Sequence, residues 1–122
     1  MPNPVVQWQI VCPDPSRTAA FYKSLFGWTV DAANQLGYRQ LRTGEKGPDG
    51  GVWPGPKDMD RPFIQLFVEV DDIDAMIDRA TSLGAKWVVP KAVLPDGDAM
   101  AVFNDHDGLS FAICSRKSKQ ST

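Results

Sequence analysis

Few side chains in this sequence are equipped for chemistry, and their identities exclude more than they offer. There is one histidine, His106, and there are two glutamates, Glu45 and Glu69. A facial triad of two histidines and a carboxylate cannot be assembled within one chain from a single His. A His-rich zinc site or a Cys-x-x-Cys ribbon fails for the same want of ligands, since Cys12 and Cys114 are the two cysteines. No GxGxxG, Walker loop or GxSxG is present. The run Asp105-His106-Asp107-Gly108 has the composition of a tight turn as much as that of a titratable cluster.

What remains is a set of polar side chains at alternating positions in two apolar segments. Over Val5–Val11, Val6, Trp8 and Ile10 share one face and Gln7 and Gln9 the other. Over Phe63–Val70, Ile64, Leu66, Val68 and Val70 oppose Gln65, Phe67 and Glu69. Glutamine amides turned into a cavity hydrogen-bond a polar ligand and orient it among apolar walls; the other reading is that they bond one another or water. Glu69 is the weak catalytic candidate, because burial raises a carboxyl pKa towards useful values. Its other reading is a solvated strand end ahead of a helix cap.

The elements that must hold these residues repeat. After the first strand, Asp14 suits an N-cap and Pro15 the first helical position. The helix runs to about Phe26, with Phe21, Leu25, Tyr22 and Phe26 on its buried side, and Gly27 stops it. Strands follow at 28–32, 38–42 and 51–53, with a hairpin turn at 34–37 and a Gly/Pro-rich loop at 43–50. Three prolines and one glycine at 54–62 make the clearest linker. Past it, Asp71 or Asp72 caps a second helix carrying Ile73, Met76, Ile77, Ala80 and Leu83 at helical spacing, and Gly84 stops that one. Strands are expected at 86–89, 98–103 and 109–115. Gln7 precedes Gly27 by 20 residues and Gln65 precedes Gly84 by 19, which points to an internal βαβββ repeat.

Length and composition agree with a single domain over 1–122: module 4–53, linker 54–62, module 63–115 and a frayed tail 116–122. Apolar residues make up 43% and charged residues 23%, ordinary for a globule with a true core. The net charge of −2, with basic residues clustered only at Arg116, Lys117 and Lys119, argues against a nucleic-acid partner. No apolar run is long enough to span a membrane, and the first residues lack a signal-peptide pattern, so the expected location is the cytoplasm. Cys12 and Cys114 fall on opposite faces by parity and are expected to stay reduced.

The segments PDPSRTAAFYKSLFGW at 13–28, VEVDDIDAMIDRATSLGAK at 68–86 and FNDHDGLSFAI at 103–113 resemble the vicinal oxygen chelate superfamily, which includes glyoxalase I, extradiol dioxygenases and the fosfomycin- and bleomycin-resistance proteins. The resemblance implies an α+β fold of two βαβββ modules, forming a cupped mixed sheet with helices outside. It carries the family's metal-ligand positions onto Gln7, Gln65, Ala112 and the neighbourhood of Gly51–Trp53, where no acid stands. Two neutral amides without a carboxylate do not offset the cost of dehydrating a divalent ion, so no metal or other cofactor is expected. The implied ligand-binding lining is Gln7, Gln9, Tyr38, Gln40, Trp53, Gln65, Phe67, Met100, Phe103 and Ala112. The alternative for its aromatics is core packing, which is where Trp8 and Trp87 are assigned; Trp28 suits either. The function implied is metal-independent binding of a small organic molecule, as in the bleomycin-resistance branch. The alternatives are a lyase or isomerase resembling glyoxalase I, with an unusual or absent metal site, and a pure interaction module with a filled cup. A homodimer is the expected assembly, with exchange of modules between chains left open.

Overall fold

A computed structural model describes residues 2–32, 37–94 and 97–116. Its elements are β1 (Val5–Cys12), α1 (Pro15–Phe26), β2 (Thr29–Asp31), β3 (Arg39–Arg42), β4 (Gly50–Pro54), β5 (Phe63–Glu69), α2 (Ile73–Ser82), β6 (Lys86–Val93), β7 (Ala99–Asn104) and β8 (Ser110–Ser115). This is βαβββ twice over, the α+β repeat that the sequence leads one to expect. No helix among the described residues is long and apolar enough to cross a membrane. The hairpin turn expected at 34–37 falls mostly on 33–36, outside the described residues.

The chain divides into two compact units, Gln7–Gln65 and a second made of Met1–Val6 with Leu66–Thr122. In the first, the strands lie in the order β2-β3-β4-β1. β1 and β4 run parallel, Trp8 beside Gly50 and Gln9 beside Gly51, while β3 is antiparallel to both β2 and β4. In the second unit the order is β5-β8-β7-β6, again with one parallel pair, β5 and β8. A parallel pair needs a long crossover, and in each unit the helix lies within it.

The helices are set by local chemistry. The Asp14 carboxylate accepts from the Arg17 N–H at 3.1 Å, Pro15 opens α1, and Gly27 closes it at φ 75°, where its N–H reaches the Lys23 carbonyl at 2.8 Å. Asp72, not Asp71, caps α2, accepting from the Ala75 N–H at 3.1 Å. α2 packs Ile73 and Ile77 onto Val70, Ala101, Phe103 and Ile113. α1 brings only Ala19 into a buried cluster with Cys12, Leu41 and Val52, flanked by Trp8, Ile10, Trp28 and Val30. Each fully buried aliphatic side chain in these clusters contributes roughly 1.5–3 kcal/mol.

Several expectations need correction. Phe21, Leu25 and Phe26 are more than half exposed. The small Ala19 faces the sheet in their place, and Tyr22 lies along Trp28, ring centroids 5.7 Å apart. Trp87 is half exposed, because β6 is the outer strand of its unit and has one strand neighbour. That strand also runs to Val93 rather than stopping at 89: Pro90 is tolerated where the pairing with β7 shifts register twice. Pro54, read as linker, ends β4, and the Gly55 N–H donates to the Cys12 carbonyl at 2.7 Å.

Candidate functional site

Side chains on neighbouring parallel positions point the same way, so the register of β1, β4 and β3 decides which residues share a surface. Leu41, Val52, Trp8 and Ile10 face α1. Gln7 and Gln9 on β1, Gly51 and Trp53 on β4, and Gln40 on β3, beside Gly51, therefore occupy the opposite face. Tyr38, just before β3, places its ring over that same face. Five of the residues expected to line a binding surface are thus brought together within one unit.

The adjacent glycines Gly50 and Gly51 are the feature that sequence reasoning left unused. A Cβ on Gly51 would collide with the Tyr38 phenol, and a Cβ on Gly50 would collide with the indole of Trp8. Glycine in a strand interior marks such a close approach, and that was the available signal. The Tyr38 ring lies directly over the Gly51 backbone, its centroid 4.7 Å from that of Trp53. Gln7 Nε2 donates to the Tyr38 hydroxyl at 3.4 Å, and that hydroxyl donates to the Gly50 carbonyl at 3.5 Å. Burial raises the Tyr38 pKa above its ordinary value, so the phenol stays a neutral donor. Gln40 Oε1 accepts from Arg42 Nη2 at 3.5 Å.

Gln9 is 1% exposed, and neither its amide nitrogen nor its amide oxygen finds a hydrogen-bond partner. The buried indole Nε1 of Trp53 finds none either. Leaving a buried polar group unpaired costs about 1–3 kcal/mol, and here two such groups lie on the same face of adjacent strands. Trp8, on the other face, donates its Nε1 to the Pro48 carbonyl at 3.0 Å. Gln65, the last residue of the first unit, is also buried.

In the second unit Phe67, Val102, Ala112 and Cys114 form a closed apolar cluster, with Val6 and Met100 against it. Phe67, Met100 and Ala112 thus share a face as expected. Phe103 does not: it lies three residues from Met100, so strand parity turns it to the other side, fully buried under α2. The Glu69 carboxylate is ion-paired to Arg116 and mostly buried rather than solvated. Burial first, then the Glu69 charge, push the Cys114 thiol up to about 11. Both cysteines are free thiols. His106 is exposed on a tight turn in which Asp105 Oδ1 accepts from the Asp107 and Leu109 N–H groups at 2.9 and 3.0 Å. It borders an apolar cavity of about 350 Å³ under α2 that includes Met76 and Phe111.

The residues at the family's metal positions do not fit a divalent ion. Gln7 and Gln65 are neutral amides, Ala112 offers a methyl group, and over Gly51 lies a phenol ring. Among the described residues no group of three or more His, Cys, Asp or Glu is placed to hold one.

The sequence profile of the Glyoxalase-like domain family matches residues 5–114. The chain is 30% identical over 118 residues to a glyoxylase-like domain-containing protein of Didymella fabae, covering 91% of this chain and 92% of that one. Among solved structures, methylmalonyl-CoA epimerase from Mycobacterium tuberculosis shares the fold at a TM-score of 0.65 and 19% identity, over 90% of this chain and 85% of that one. A hypothetical protein from Bacillus halodurans does so at 0.68 and 12%, over the whole of both chains. At these identities the likeness is one of fold.

Proposed function

The chain belongs to the Glyoxalase-like domain family, within the vicinal oxygen chelate superfamily, and on that premise we propose that it binds a small organic molecule without a metal ion. The binding surface is the face of the first unit that carries Gln7, Gln9, Tyr38, Gln40 and Trp53. The observation that carries this reading is the pair of buried, unpartnered polar groups on Gln9 and Trp53. A surface meant only to pack would have apolar side chains there, because each orphaned group destabilises the fold. A bound molecule that satisfies both groups recovers that free energy on binding. The lyase or isomerase alternative relied on Glu69 as its base, and that carboxylate is committed to Arg116. Self-association is proposed as well; exposed Phe21, Leu25 and Phe26 are available for it, and sedimentation velocity tests it.

The experiment is a thermal-shift screen of small organic molecules in buffer containing a chelator, against the wild-type chain and Gln9→Met. The expected result is a compound that raises the wild-type Tm, with the shift lost in the variant. A compound that stabilises only with added metal, or equally in both proteins, contradicts the proposal.

A further inference from the structure

The polar atoms of this face also specify what kind of molecule they accept. We infer that the ligand is an uncharged, flat molecule with an amide-type edge, a carbonyl beside an N–H, as in a lactam or a cyclic imide; this rests on the binding role proposed above.

Gln9 sits beside Gly51 in the parallel register, and Trp53 lies two residues further along β4. Their Cβ atoms are therefore roughly 8 Å apart, diagonally across one face, close enough for two long side chains to meet the same small molecule. The groups without partners are one amide oxygen, one amide nitrogen and one indole N–H. A carbonyl oxygen has two lone pairs, so one such oxygen on the ligand accepts from both the Gln9 amide and the Trp53 indole. The N–H next to it donates back to Gln9 Oε1. A lactam edge satisfies all three groups at once. A carboxylate has no donor for Gln9 Oε1, and a quaternary cation has no acceptor for either N–H.

Charge points the same way. The two parallel strands β1 and β4 carry only neutral side chains on this face: Gln7, Gln9, Val11 and Trp53. The charged groups near this face lie off β1 and β4: Arg42 on β3, Asp31 on β2, and Asp49 just before β4, whose charge acts on the Tyr38 phenol. An ion held against Gln9 and Trp53 would be desolvated with no opposite charge on either strand beside it, which is costly. Flatness follows from the walls. The Tyr38 and Trp53 rings pack on each other, centroids 4.7 Å apart and tilted by 39°, over a strand stretch made thin by Gly51; a ligand meets this pair from outside, and planar faces prefer to stack offset on such rings.

The test uses the full chain with four bicyclic probes of similar size: 2-quinolinone, quinoline, quinoline-2-carboxylate and N-methylquinolinium. Binding is read from the Trp53 indole N–H and the glutamine side-chain amide signals in ¹H–¹⁵N spectra. The expectation is that 2-quinolinone binds at least about tenfold more tightly than the other three, and that Trp53→Phe, which keeps an aromatic ring and removes the donor, loses about tenfold. Gln9→Met is the second variant, with the same loss expected. If either charged probe or quinoline moves these signals with equal or greater affinity, the amide-edge assignment is overturned while the binding surface stands. If none of the four moves them at millimolar concentration, the assignment and the binding surface both fall.

Discussion

Replacing Gly51 with Ala offers the sharpest test of how the polar face is built. Gly51 does not sit at positive φ, so its backbone accepts alanine, and the substitution alone should stabilise by about 0.4–1 kcal/mol through the unfolded chain. Against that stands the Tyr38 phenol, which occupies the space the new methyl needs. The ring must leave the Gly51 backbone, giving up its contact with Trp53, and overpacking of this kind costs about 1–3 kcal/mol. The net expectation is a loss of about 1–2 kcal/mol in an otherwise wild-type chain. In a Tyr38→Ala background the obstacle is gone, and Gly51→Ala should become neutral or mildly stabilising. The coupling between the two positions is then about 1–3 kcal/mol, inside the range seen for residues in contact. Urea unfolding of the four proteins of the cycle, followed by circular dichroism, measures it. A Gly51→Ala cost that is unchanged when Tyr38 is alanine would refute the packing of Tyr38 over Gly51.

Further expectations concern the second unit. The Cys114 thiol is held up to about 11, so the fold favours its protonated form. Unfolded thiols ionise first as pH rises, the unfolded state then binds fewer protons, and stability falls between about pH 8.5 and 11. Cys114→Ala should flatten that decline in urea midpoints, and an identical slope in the variant would contradict the thiol's part in it. Asp72→Ala removes the cap that holds the Ala75 N–H and should cost about 1 kcal/mol by urea unfolding, whereas Asp71→Ala should cost less. Arg116→Ala should cost at most about 1 kcal/mol, because the Arg116 side chain is half exposed, and the loss should shrink in 1 M salt.

Most of the architecture was legible because its signals are local. Asp14-Pro15 and Gly27 bracket one helix, Asp72 and Gly84 the other, and strict alternation at Gln7, Trp8, Gln9 and Ile10 settles which way those four residues of β1 point; Val6, expected beside Trp8 and Ile10, packs instead against the Phe67 cluster. Helix faces were less legible. Phe21 and Leu25 repeat at i and i+4 like a core stripe, yet the small Ala19 turned out to be the contact, which periodicity of large residues cannot reveal. Phe103 and Met100 cannot share a face of β7, since they stand three residues apart and alternation turns them to opposite sides. Trp87 is expected in the core, but an outer strand with one neighbour leaves it half exposed. At the site, the residue types were legible and the fit was not. Nothing local tells that the Tyr38 ring takes the space a side chain at 51 would fill, or that Gln9 and Trp53 are left without partners. Both depend on which strands become neighbours.

The central claim is that the face carrying Gln9 and Trp53 receives an organic molecule without a metal. Its most direct test is a ¹H–¹⁵N spectrum of the full chain in chelator, titrated with a set of small uncharged fragments, in which all four tryptophan indole signals are resolved. The Trp53 indole and a glutamine side-chain amide, lost in Gln9→Met, are expected to move together while the Trp8 indole, already bonded to the Pro48 carbonyl, stays in place. Shifts confined to Trp87 or to backbone signals under α2, with Trp53 and Gln9 still, would contradict it.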